Sequence, residues 1–266
     1  MPQDLVSLQN EAAAYLDALG VNYKKLTSDE LDLFAVSFTR QFVLAFPQRE
    51  IRDLYLRHER EILMGAMIAK AQMDTAFDGM FPGSSKIGMT EIRAAYLGVG
   101  DDWEDIYRAT GGTGYWTTGS PQNWIHAGTT YLGGTAGNPI RIYDNQVTVI
   151  IAFGSKHPAP KLESIYVEID GKPKPVIPCH FATRLVPYGA IPIKELDDAI
   201  LLYKGKQFLA KVFFSDHFGG SVSSVVDYPY PLGASFINEP ALRVQDPYDL
   251  IGTAAARDAN LLVKPT

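Results

Sequence analysis

The stretch from Pro47 to Met80, PQREIRDLYLRHEREILMGAMIAKAQMDTAFDGM, limits the folding options of this chain more than any other. Ile51, Tyr55, His58, Ile62, Ala69, Met73 and Ala76 recur at spacings of three, four and seven, the stripe of a helix that buries one face. Its middle, from Ile62 to Ala69, is apolar on every side, so a second layer has to cover the face that would otherwise meet water. The pattern predicts one spine helix over about 48–79. At about 1.5 Å per residue it would be roughly 45 Å long, more than a compact domain of this mass needs for its own core. The excess predicts a spine onto which other elements or other subunits dock, with Ile62, Gly65 and Ala69 as its packing positions.

The flanking segments read as further helices. Asp4 to Leu19 places Leu5, Leu8, Ala12, Leu16 and Leu19 on one face, with Gly20 as the stop. Thr27-Ser28-Asp29-Glu30 is a capping-box pattern, and a second helix follows through Leu31, Phe34, Phe38, Phe42 and Phe46. Pro47 then opens the long helix or kinks a continuous one. Phe81 to Ser85 reads as a loop, and Thr90 to Leu97 and Asp101 to Arg108 as two short helices.

The texture changes at Thr110. Residues 1–110 hold 3 prolines and 7 glycines, residues 111–266 the other 14 and 16. Short runs rich in β-branched and aromatic residues replace the helical period: Pro139–Tyr143, Gln146–Phe153, Leu162–Asp170, Pro175–Phe181, Ala199–Tyr203, Phe208–Ser215 and Val222–Tyr228. Asp170-Gly171 and Lys204-Gly205 are hairpin-type turns, and Gln146–Phe153, apolar on both faces near its end, is expected to be a central strand. The expected fold is α+β: a helical region over 1–110, an antiparallel β-sandwich or barrel over 111–235, and an extended tail over 236–266 with one weak helical stretch, Pro247–Ala256.

Charge narrows the function classes. Residues 1–110 carry 11 Lys and Arg against 17 Asp and Glu, so the net charge of −6 sits wholly in that part. The sequence has no basic cluster or stripe of the kind that neutralises phosphates, which argues against direct sequence-specific nucleic-acid binding. Glu61 and Lys70 bracket the best apolar run, so no membrane span is expected and the protein should be soluble. The acidic, amphipathic opening MPQDLVSLQNEAAAYLDALG lacks the basic and apolar regions of a secretory signal, so synthesis in the cytoplasm without a signal peptide is expected.

Motif by motif, chemistry is hard to place. Thr110 to Trp124 is rich in glycine and aromatics, but a phosphate loop needs a lysine at its end and there is none between Lys86 and Lys156. Tyr115, Trp116 and Trp124 are the candidate interface or ligand contacts of that segment, against the alternative that the tryptophans fill the seam between helical and β parts. His58-Glu59-Arg60-Glu61 starts like a zincin helix, yet Ile62 stands where the second histidine belongs. His58, His126, His157, His180 and His217 are dispersed, and Cys179 is the one cysteine, too few for a disulfide or a thiolate metal site. Cys179-His180 and Asp216-His217 are strand neighbours whose side chains diverge. Asp197 and Asp198 read as a charged turn. No catalytic residue, cofactor site or metal site is expected.

These features lead to a structural self-assembling protein, a virion or capsid-like subunit of a shell or tube, with copies of itself and other structural proteins as partners and no reaction of its own. A carbohydrate- or surface-binding module using the aromatic loop is the first alternative, and an enzyme with a site gathered in the β domain the second.

Overall fold

In the computed structural model, which describes residues 5–80, 86–92, 97, 124–125, 134–135, 138–155, 162–179, 192–214 and 229–238, the first helices form where caps and apolar period place them. α1 (Leu5–Ala18) buries Leu8, Ala12 and Leu16 and ends at Gly20 with φ of 65°, while Leu19 stays in water. α2 (Ser28–Phe38) is opened by the full capping box: Glu30 N–H donates to Thr27 Oγ1 at 3.4 Å, and Thr27 N–H donates to Glu30 Oε2 at 2.8 Å. The helix then loosens into a π turn, Thr39–Val43, closed by Leu44 N–H on Thr39 O at 2.8 Å. Phe46 lies outside any helix, yet its ring stacks on Tyr55 at 5.4 Å and so stays with the aromatic row of Phe34, Phe38 and Phe42.

The single spine helix expected over 48–79 is corrected. α3 (Arg49–Arg57) stops at His58, whose φ of −103° and ψ of 18° leave the helical well, and α4 (Glu59–Met73) begins anew. Asp74, left-handed at φ of 49°, ends α4, and the chain turns into a strand at Ala76. At about 1.5 Å per residue α4 is only about 22 Å long. Its apolar middle is enclosed by its own chain, α1 on one side and a sheet on the other.

The strands in chain order are β1 (Ala76–Gly79), β2 (Lys86–Glu91), β3 (Trp124–Ile125), β4 (Gly134–Thr135), β5 (Asn138–Arg141), β6 (Gln146–Ser155), β7 (Leu162–Ile169), β8 (Lys172–Pro173), β9 (Ile177–Pro178), β10 (Ile193–Leu202), β11 (Gln207–Phe214) and β12 (Pro229–Ile237). The first sheet runs β1-β2-β12-β6-β10; the second runs β4-β5-β11-β7-β8, with β3 on β11 and β9 on β7. The fold is therefore α+β with two sheets, the first of them mixed because β1 and β2 pair parallel. Neither sheet closes on itself among the described residues.

Several boundaries move, each for a physical reason. β1 and β2 lie inside the expected helical region, and Thr90 belongs to β2 rather than to a short helix. β12 crosses the boundary expected at 235, although Pro229 and Pro231 argue against a central strand. The prolines fit because, among the described residues, β2 pairs β12 only from Ala234 onward, leaving that stretch with β6 alone on one side. β10 starts at Ile193 and carries Asp197 and Asp198 in its irregular stretch between Glu195 and Ile200, where a turn was expected. Of the expected strand Pro175–Phe181, Ile177–Pro178 is strand among the described residues, and residues 180–181 lie outside them. The strand expected over Val222–Tyr228, the helix over Asp101–Arg108 and the tail beyond Asn238 lie outside the described residues.

β6 is central as expected, with every residue from Gln146 to Ser155 buried. Asp170 and Gly171, at φ of 53° and 71°, make the two-residue hairpin of β7 and β8. Lys204-Gly205 is a turn of another kind, because it carries the chain from β10 in one sheet to β11 in the other. The β5–β6 connection makes the same crossing beside it, and the two are tied by Ile142 N–H on Lys206 O at 2.9 Å. Gln72 of α4 locks both: its Nε2 donates to Asp144 O at 2.8 Å and Gln146 O at 2.9 Å, and its Oε1 accepts from Lys204 N–H at 2.8 Å.

Candidate functional site

Ile62, Gly65 and Ala69 sit where α4 meets the first sheet, and all three are buried. A Cβ on Gly65 would lie 2.5 Å from both Phe236 of β12 and Val149 of β6, so only glycine lets helix and sheet approach this closely. These are packing positions within one molecule. Tyr115 and Trp116 lie outside the described residues; the backbone of Trp124 pairs with Phe213 in β3 and β11. The buried Cys179 Sγ donates to Ile177 O at 3.7 Å, and His126, His157, His180 and His217 lie outside the described residues.

Two features of the helical layer stand out instead. The first is a charged joint at the α3–α4 break. His58 Nε2 lies 3.0 Å from Glu195 Oε1 on β10, and Nδ1 lies 3.6 Å from Glu61 Oε2. Arg57 grips Glu195 with two bonds, Nε to Oε1 at 3.0 Å and Nη2 to Oε2 at 2.6 Å, and Arg60 reaches Glu61 at 2.8 Å. Glu61 beside it raises the His58 pKa above its ordinary value, against the opposite pull of burial, and Glu195 adds to the rise. Burial alone would raise Glu61, but bonds from His58 and Arg60 bring it down to about 2. Arg57 chiefly holds Glu195 below the usual carboxylate range. With each imidazole nitrogen facing a carboxylate, the arrangement fastens the helix break to a strand. Sequence reasoning singled out His58 and Glu61 but could not supply Glu195, which lies 137 positions away.

Beside the joint is a cleft of about 920 Å³, bounded by Ser7 and Glu11 of α1, Asp53 and Leu56 of α3, and Glu59 and Arg60 of α4. Burial raises the Glu59 carboxyl above its ordinary range. The Arg60 guanidinium stands over the Tyr15 ring, 5.5 Å from its centroid. Among the described residues no group of three or more His, Cys, Asp or Glu is arranged to hold a metal ion. No helix among them is long and apolar enough to cross a membrane.

The second feature is a set of exposed apolar side chains on the helical elements. Of the nine large apolar side chains exposed among the described residues, seven lie between residues 6 and 56: Val6, Tyr15, Leu19, Leu33, Val36, Leu44 and Leu56. Leu44, just past the π turn, is 71% exposed, the most of all. The amphipathic period could have found Leu33 and Val36, which fall off the buried stripe of α2; the π turn that turns Leu44 outward has no comparable signature.

No protein-family model matches this chain, and neither the curated proteins nor the solved structures contain a match to it.

Proposed function

We propose that this chain is a structural, self-assembling protein, a capsid-like subunit of a virion shell or tube whose principal partners are further copies of itself and other structural proteins. The observation that carries the reading is the set of exposed apolar side chains on the helical elements, with Val36 44% and Leu44 71% exposed beside a buried hydrophobic core. Leu33 and Val36, three residues apart on α2, are both exposed, and neighbouring exposed apolar side chains on a helix suit contact with another protein. The joint at His58 supports the reading from the other side, because its charged groups spend their bonding capacity on holding elements together. The expected excess of a long spine no longer contributes, since α4 is short and self-covered.

The acidic N-terminal part makes genome contact slight, so that role falls to another component of the particle. Negative-stain electron microscopy of the purified full chain tests the reading. Regular shells, tubes or sheets are the expected sight; isolated small particles at every protein concentration would overturn it.

A further inference from the structure

The outer face of α2 carries a strip that is complementary to itself, and we propose that it forms a two-fold contact with a second copy of this chain, the two α2 helices running antiparallel across Val36. The inference rests on the self-assembly reading and names one of its surfaces. Val36 is 44% and Leu33 37% exposed, while Leu31, Phe34, Ser37 and Phe38 fill the opposite, buried face. Asp32 precedes Val36 by four residues and Arg40 follows it by four, each about 6 Å away along the axis. An antiparallel pair centred on Val36 therefore sets Asp32 of each copy against Arg40 of the other, twice, around an apolar centre.

Arg40 stands at the start of the π turn that follows α2 and, like Val36, is exposed. Both charges are free to make the contact. Asp32 has no ion-pair partner among the described residues, and Arg40 is held there only by Met80 Sδ at 3.4 Å, a weak acceptor. A strip with opposite charges at equal distances on either side of an apolar centre fits its own copy better than an unrelated surface.

The test is charge reversal and rescue in the full chain, read by sedimentation equilibrium, with thermal melts to establish that each exposed-site variant folds. Arg40→Asp and Asp32→Arg should each weaken self-association by about ten-fold, and the double variant, which restores both opposite pairs, should return to within about three-fold of wild type. Val36→Cys should form a disulfide-linked dimer under mild oxidation, with the buried Cys179 left aside. Wild-type association that neither reversal weakens, or that the double variant fails to restore, overturns this contact and leaves the self-assembly reading standing. A wild-type chain that stays monomeric overturns both.

Discussion

Tyr55 Oη donates to the carbonyl of Gly233 at 3.2 Å and accepts from its N–H at 3.1 Å, so one buried phenol satisfies both backbone groups of a residue 178 positions away. The partner is a glycine for two reasons. Its φ of 153° lies at the register shift of β12, and a Cβ there would stand 1.9 Å from Val149 O. Burial pushes the phenol pKa up, which favours the protonated form that donates here. Phe42 and Phe46 stack on the Tyr55 ring at 4.7 and 5.4 Å, and so aim it at the bulge. α3 is thus tied to the middle of the first sheet.

Tyr55→Phe keeps the stack and leaves two buried backbone groups unpaired, and should cost about 1–3 kcal/mol in urea titration. Gly233→Ala should be worse, because strand backbone has to move, and a stable, soluble Gly233→Ala protein would contradict the tie.

Close approach at Gly65 predicts a similar loss by another route. Gly65→Ala drives a methyl group into Phe236 and Val149 and should cost about 1–3 kcal/mol by thermal melt. Glu59→Gln, at the cleft, should stay within about 0.5 kcal/mol of wild type. Equal effects would mean that α4 is not seated on the sheet as described.

Glu30 joins three elements. Its carboxylate takes Thr27 N–H at 2.8 Å, Phe77 N–H of β1 at 3.0 Å, and the Lys70 ammonium of α4. Glu30→Ala strands a nearly buried lysine and should lower stability by about 3 kcal/mol in denaturant titration. Pairing it with Lys70→Met should recover a clear part of that loss; purely additive effects would contradict a coupled pair.

Stability should fall at both ends of the pH range. Glu30 and Glu61 are held at about 2 against an ordinary 4.5, so their contribution is present above 4.5 and is lost as pH falls toward 2. His58 is shifted the other way, above its ordinary 6.5, so its contribution is full below 6.5 and disappears as pH rises through the folded value. The melting temperature is therefore expected to be highest between about 4.5 and 6.5. His58→Gln should flatten the alkaline limb and, because His58 helps to hold Glu61 low, weaken the acid limb as well; an unchanged alkaline limb would mean that His58 is not charged in the fold.

Local chemistry was the legible part of this fold. The capping box at Thr27, the stripe of α1, the buried β6 and the Asp170-Gly171 turn each depend on residues a few positions apart, and sequence periods report such relations directly. What the sequence hid depends on distant partners. His58 continues the helical stripe, and Glu195, which the sheet brings beside the break, is not visible from the local sequence. No strand is legible over β12, where Pro229 and Pro231 argue against a central strand, until one knows that β2 covers just half of it. At the candidate site, Gly65 was identifiable as a close-packed position, but its partners Phe236 and Val149 come from two other elements, and so self-covering resembled a need for a neighbour.

The central claim, a self-sufficient core with an outer surface made for further copies, is tested most directly by light scattering of the purified chain over a wide concentration range. A mass that climbs in multiples of 29.3 kDa as concentration rises is the predicted result. A constant 29.3 kDa at every concentration would contradict it.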